Sequence, residues 1–269
     1  TAVLALGAAT LLTIGVLAFI LVFILRAGLP VVNVAFLFSH PRDMGRAGGI
    51  LPMLVGSLLL PLLAIALALP LGVGTAVYLA EYTRENRLTR LIRFGTDCLA
   101  GVPSIIFGLF GFILFVVTLR MGWCLLAGGL TLAIMILPTI IRTAEEAVRA
   151  VPHAYREVSY ALGGTRWQTV RKLVLPNALP GIVTGAMLGI GRCVGETAAV
   201  IFTAGSALRL PGSLFDSVRT MSVHFYLLAR EGISSANAYG TAAVLILSIL
   251  LINLSAYGIM HWLLSRHHR

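Results

Sequence analysis

The strongest constraint on this chain is a series of apolar stretches, each close to the length a helix needs to cross a bilayer. About 20 apolar residues in helical form span the hydrocarbon layer. Runs of that kind occur at 2–25, 50–80, 103–119, 123–141, 178–204 and 239–264. In lipid every backbone polar group must find its partner inside the segment, so isolated spans are helical. The expectation is an all-α, polytopic membrane protein with about six transmembrane helices. Residues 1–269 form a single domain with its core at 50–264. Composition agrees: 11% of residues are charged, against about 25% in a soluble domain. The run at 2–25 is too long for the apolar part of a secretory signal and lacks a cleavage site, so it reads as a span. The chain begins with Thr1 rather than methionine, and the native N-terminus is expected upstream. Pro52, Pro61 and Pro70 fall in the second run, which is expected to tilt or kink.

The formal charge of +10 is almost wholly arginine, Lys172 being the only lysine. The arginines are scattered between apolar runs without forming a patch, so nucleic acid is not an expected partner, whereas membrane lipid is. Their placement reads as topology instead. The loops after the second and fourth runs, with a tail containing Arg266 and Arg269, carry twelve Lys and Arg against seven on the other side. That bias predicts both termini in the cytoplasm. Cys98, Cys124 and Cys193 form no CxxC pair, the six histidines are dispersed and there is no HExxH. No metal site is expected, and the cysteines read as small buried residues.

The segment 142–176 is too structured to be a linker. Val151, Tyr155, Val158 and Leu162 recur at helical spacing and share an apolar face. Gly163 and Gly164 then end the helix, and Thr165 with Gln168 forms a T-x-x-Q capping box that opens a second. Trp167, Val170, Leu173 and Val174 share a face of that helix. Two short amphipathic helices around a Gly-Gly turn make a rigid knob. Such a pair could lie on lipid headgroups, but its spacing points elsewhere. Glu157, Gly163 six residues later, and Leu173-Val-Leu-Pro176 resemble the E-A-A…G…I-x-L-P loop of binding-protein-dependent ABC importer permeases, with Glu157-Val158-Ser159 in place of EAA.

The wider resemblance is to the PstA-type phosphate permease subunits. It rests on "LPLGVGTAVYLAEYTRE", "IRFGTDCLAGVPSIIFGLFG", "ILPTIIRTAEEAVRAVPHAYREVSYALG" and "GRCVGETAAVIFTAG". The resemblance implies a type I ABC importer permease fold in a bacterial inner membrane, forming half of a pore. It implies a PstC-like permease, two PstB-like ATPase subunits and a PstS-like phosphate-binding protein as partners. The ATPase would dock on Tyr155, Glu157, Ala161, Leu162, Gly163 and Gly164. ATP and Mg would sit on that ATPase, leaving this chain without a cofactor. One check supports the division: a P-loop needs G-x-x-x-x-G-K-[ST], and Lys172 follows Arg171. A sister PstC-like subunit, or a permease for sulfate or molybdate, remains the alternative. The spans hold no convergent set of catalytic ligands, so the chain is read as non-catalytic.

Within "GIGRCVGETAAVIFTAG" (189–205) Arg192 and Glu196 stand one helical turn apart. A central arginine costs about +2.5 to +3.5 kcal/mol to insert. An i,i+4 ion pair returns only about 0.2–0.5 kcal/mol in solvated helices, and acid-before-base is the better order. Arg192 is therefore expected to face a water-filled path and offer its donors to phosphate. Glu196 would hold Arg192 and keep the anion from binding too tightly, and Thr197 and Thr203 would add hydroxyls. Gly181, Gly185 and Gly189 form one small-residue row, Gly191 and Gly195 another, for tight packing within the bundle or against a second subunit. No inverted repeat of the secondary-transporter kind is visible. Arg219 and Arg230 read as solvated.

Overall fold

The computed structural model describes residues 2–267, with side chains for 3, 6–255, 257 and 258. Arg269, and the side chain of Arg266, counted in the charge bias, lie outside the described residues. The chain runs α1 (Ala2–Gly28), α2 (Val34–Phe38), a two-stranded hairpin of β1 (Pro41–Arg42) and β2 (Ala47–Gly48), then α3 (Leu51–Val77). There follow α4 (Arg87–Ala100), α5 (Ser104–Gly111), α6 (Leu125–Ala150), α7 (His153–Ala161), α8 (Arg166–Thr169) and α9 (Leu175–Gly195). The last elements are α10 (Ala198–Thr203), α11 (Met221–Arg230) and α12 (Ser235–His267). Three π-helical segments, Tyr78–Tyr82, Phe112–Thr118 and Val170–Val174, extend α3 and α5 and join α8 to α9.

Five of these helical runs are long and apolar enough to cross a membrane, and the number reaches six where the bent pair Arg87–Ala100 and Ser104–Thr118, which meet at 102°, is counted as one span. α3 continues as one helix through Pro61 and Pro70, with Pro52 in its first turn, where its missing N–H costs nothing. The fifth run departs further from expectation. It starts earlier, because α8 continues through Val170–Val174 into α9 as one run, Arg166–Gly195. The second helix of the knob is thus the foot of the span. A π-turn next to Pro176 suits a position where the proline removes one helical hydrogen bond. The run also ends sooner than Ala204. Glu196 adopts an extended backbone (φ −72°, ψ 129°) and α10 starts afresh.

The core lies among α3, α6 and α9. Leu60, Ala64 and Ala68 of α3 meet Leu132, Met135, Ile136 and Ile140 of α6, all buried. The two glycine rows have different tasks. A Cβ on Gly181 would strike Ala147, and one on Gly185 would strike Thr143, so this row brings α9 against α6. Gly191 and Gly195 face open space. Gly185→Ala is therefore expected to destabilise the bundle by about 1–3 kcal/mol through overpacking, whereas Gly191→Ala leaves it unchanged. Thermal unfolding of the two detergent-solubilised variants checks this. α1 stands apart, its membrane-length stretch unburied; it packs along α12, where the rings of Phe23 and Tyr239 meet edge to face at 5.8 Å.

A candidate translocation path and a docking knob

At the knob end, α7 is held by a buried ion pair that the charge count had treated only as topology. Arg156 donates to Glu81 through Nη2 (2.6 Å) and Nε (3.0 Å). The same guanidinium donates to the carbonyls of Val151 (2.6 Å) and Val148 (2.9 Å), capping the end of α6. One residue thus ties together the end of α3, the end of α6 and the start of the knob. Both side chains are about one-tenth exposed or less. A second tie runs from α4, where Arg93 Nη2 reaches Glu145 at 2.9 Å, and Arg149 meets the same carboxylate at 2.9 Å.

The knob itself is braced from within. Gly163 takes the left-handed conformation (φ +79°) that ends α7. Thr165 and Gln168 make the reciprocal capping box that the spacing predicts. Ser159, in the motif position usually filled by alanine, bonds Thr169 Oγ1 at 2.8 Å and clips α7 to α8. A Cβ on Gly164 would collide with Ser159. Tyr155, Glu157, Ala161, Leu162 and Gly163 are exposed, and Gly164 is half-buried. Val151 is the exception among the expected face residues: it is buried at the C-cap of α6. Leu162, 83% exposed at the turn, is an apolar tip with nothing over it.

Arg192 lies in the last turn of α9. There it faces the negative end of the helix dipole, a compensation invisible while the helix was thought to continue. The expected Arg192–Glu196 pair is absent from the salt bridges of the described residues. The break carries Glu196 away from Arg192, and its Oε1 accepts from Ala199 N (3.2 Å) at the start of α10. Its carbonyl is taken by Ser222 Oγ at 2.7 Å. Arg192 is half-buried, and its guanidinium makes no hydrogen bond or ion pair with another described residue. Thr203 is also not where the path reading put it. Its side chain is fully buried and donates to Ala199 O (2.7 Å), within its own helix.

Thr197, by contrast, lines a cavity of about 970 Å³ bounded by α5, α10 and α11, with Phe112, Phe202, Tyr226 and Arg230 in its wall. Arg230 is exposed and stacks 5.7 Å over the Tyr226 ring. Arg219, expected to be solvated, is 6% exposed. It donates to Ser206 O at 2.8 Å and approaches His224 Nδ1 at 3.3 Å. Burial, and then the Arg219 charge, push the His224 ring down to about 4, so at neutral pH the ring is uncharged and can accept from the guanidinium. In the same connection Asp216 accepts from the amides of Gly212 and Ser213, which lower its pKa below the usual carboxylate value. The cysteine expectation holds for Cys124 and Cys193, which are buried, and fails for Cys98, which is exposed.

A helical membrane bundle with a braced, apolar-tipped turn at one end and a broken span fits the type I ABC importer permease fold that the sequence resemblance implies. The chain belongs to the family described as binding-protein-dependent transport system inner membrane component, whose profile matches residues 68–269. It is 35% identical over 250 residues to the probable ABC transporter permease protein YqgI of Bacillus subtilis, covering 87% of this chain and 85% of that one. It is 39% identical over 226 residues to phosphate transport system permease protein PstA 1 of Mycobacterium tuberculosis, covering 83% and 73%. Among solved structures, an inward-facing MetNI methionine ABC transporter aligns with a TM-score of 0.63 at 22% identity, over 80% of this chain and 94% of that chain.

Proposed function

We propose that the chain is a PstA-like permease subunit of an ATP-driven phosphate importer and forms half of its pore. The observation that carries this reading is Arg192, a guanidinium with no hydrogen-bond or ion-pair partner among the described residues, at the break in the fifth span. Phosphate permeases at 39% identity over most of the chain support the choice of anion. The remaining half would come from a PstC-like subunit, with two PstB-like ATPases at the knob and a PstS-like binding protein at the opposite face. The knob end is cytoplasmic in this reading, as are both termini. The chain catalyses no reaction: ATP and Mg belong to the ATPases.

The cycle follows from the two rigid ties. Closure of the ATPases pulls the knob, and the Arg156–Glu81 pair passes that displacement to α3 and α6 together. The spans rock open toward the binding protein, phosphate enters beside Thr197 and meets Arg192, and ATP hydrolysis returns the pore inward. Glu196, serving as the cap of α10, keeps the break in place and contributes negative charge that limits how long the anion stays. ATPase activity of the reconstituted importer tests the reading. Phosphate-loaded binding protein should stimulate it and sulfate-loaded protein should not; stimulation by sulfate would transfer the subunit to another oxyanion. For the knob, Leu162→Asp is expected to weaken ATPase docking about thirtyfold or more, the scale of an interface hot spot, with unchanged thermal unfolding of the chain. Co-purification of the ATPase measures it.

A further inference from the structure

α4 is inside out for a helix on a protein surface. A surface helix ordinarily buries its apolar stripe and shows its polar face. Here the polar side faces the protein: Thr89 is buried, and Arg93 pairs with Glu145 of α6 and with Glu85. The apolar side faces out: Leu88, Leu91, Phe94 and Leu99 are each between 45% and 66% exposed. The helix meets the following span at 102°, the angle of an element lying along a membrane surface rather than through it. Tyr78 and Tyr82, exposed on the π-turn just before it, are of the type that marks the headgroup level. Arg84, Arg87 and Arg90 are exposed at its start and have no carboxylate partner among the described residues.

We propose that α4 is an interfacial lipid anchor at the knob end, seating its apolar face in the bilayer surface and taking anionic phospholipid headgroups through Arg84, Arg87 and Arg90. The charge argument selects lipid over a second protein chain. An amphipathic helix with basic residues beside its apolar face lies in the interface plane, and each arginine near an anionic surface strengthens the association about fivefold. The Arg93–Glu145 tie then makes α4 a strut between the membrane surface and the end of α6 that leads into the knob.

The chain supplies its own probe. Cys98 is exposed on α4, whereas Cys124 and Cys193 are buried, so a thiol-reactive nitroxide attaches selectively at Cys98. The full chain and the assembled importer are each placed in phosphatidylcholine vesicles, with and without phosphatidylglycerol. Relaxation by oxygen, which concentrates in lipid, is compared with relaxation by a water-soluble nickel chelate. The expected result is oxygen access exceeding nickel access in both preparations, the label becoming less mobile when phosphatidylglycerol is added. Replacing Arg84, Arg87 and Arg90 with Gln should abolish that response to phosphatidylglycerol. Nickel access as high as at a label on the loop residue 213, placed there in a Cys98→Ser, Ser213→Cys chain, would overturn the proposal. Loss of access to both reagents on assembly would overturn it in favour of a neighbouring subunit, and indifference to phosphatidylglycerol would overturn the headgroup assignment.

Discussion

Arg156→Ala is expected to loosen the knob and to cost about 3–5 kcal/mol, the range for removing one partner of a buried ion pair. The loss is large because three things fail together. Glu81 is left as a buried carboxylate without its cation, and the carbonyls of Val148 and Val151 lose their donors. The start of α7 then loses its ion pair to the end of α3. Arg156→Lys should recover little, since an ammonium cannot reproduce the fork that grips Glu81 while reaching two carbonyls. The paired change Arg156→Met with Glu81→Leu should recover much of the stability, because two apolar side chains leave no orphaned charge. It should not recover transport, because the tie that moves α3 with the knob would be weaker. Thermal unfolding and protease cleavage within 162–166 separate these effects. Wild-type cleavage and stability in Arg156→Ala would refute the bracing role.

Arg192→Gln is expected to do the reverse: remove transport and spare the fold. A hydrogen bond to a charged group contributes about 1.5–3 kcal/mol, so uptake should fall roughly 10- to 150-fold. The chain should meanwhile be about as stable as before, because among the described residues the guanidinium has no hydrogen-bond or ion-pair partner to lose. Arg192→Lys keeps the charge and loses the planar donor set that fits an oxyanion, and belongs between the two. Glu196→Gln is the companion test. A carboxamide oxygen still accepts from Ala199 N, so the break persists while the negative charge goes. Slower release of the anion is the expected result, seen as a lower KM with a lower maximal rate. Normal uptake by Arg192→Gln would remove the anion path from this residue.

The parts of the fold that local chemistry decides were readable in the sequence. Span count follows from apolar length, and the Gly163 turn and the Thr165–Gln168 box each follow from a few neighbouring residues. What could not be read depends on distant partners. Composition across 195–205 stays apolar, so nothing local announces the break at Glu196. It is set where Ser222 takes the Glu196 carbonyl and Ser57 takes the Met221 amide. Arg156 and Glu81 are 75 residues apart, and an arginine in a loop looks the same whether it marks topology or locks a helix. The small-residue rows on α9 announced close packing, but only the positions of Ala147 and Thr143 show which row meets α6. Arg219 was misread for a related reason: its compensation comes from the Ser206 carbonyl and a neutral His224 rather than from an acid. Which face of α4 the protein covers likewise depends on a distant residue, Glu145 of α6.

In the proposed importer this chain passes phosphate across the membrane only when ATP is hydrolysed beside it. Radiolabelled phosphate uptake tests that most directly. Vesicles would contain the chain with its partner permease, the ATPases and the binding protein, assayed with and without ATP and with excess unlabelled phosphate or sulfate. Uptake that requires ATP and is competed by phosphate but not by sulfate is the expected result. Uptake that proceeds equally without ATP would contradict it.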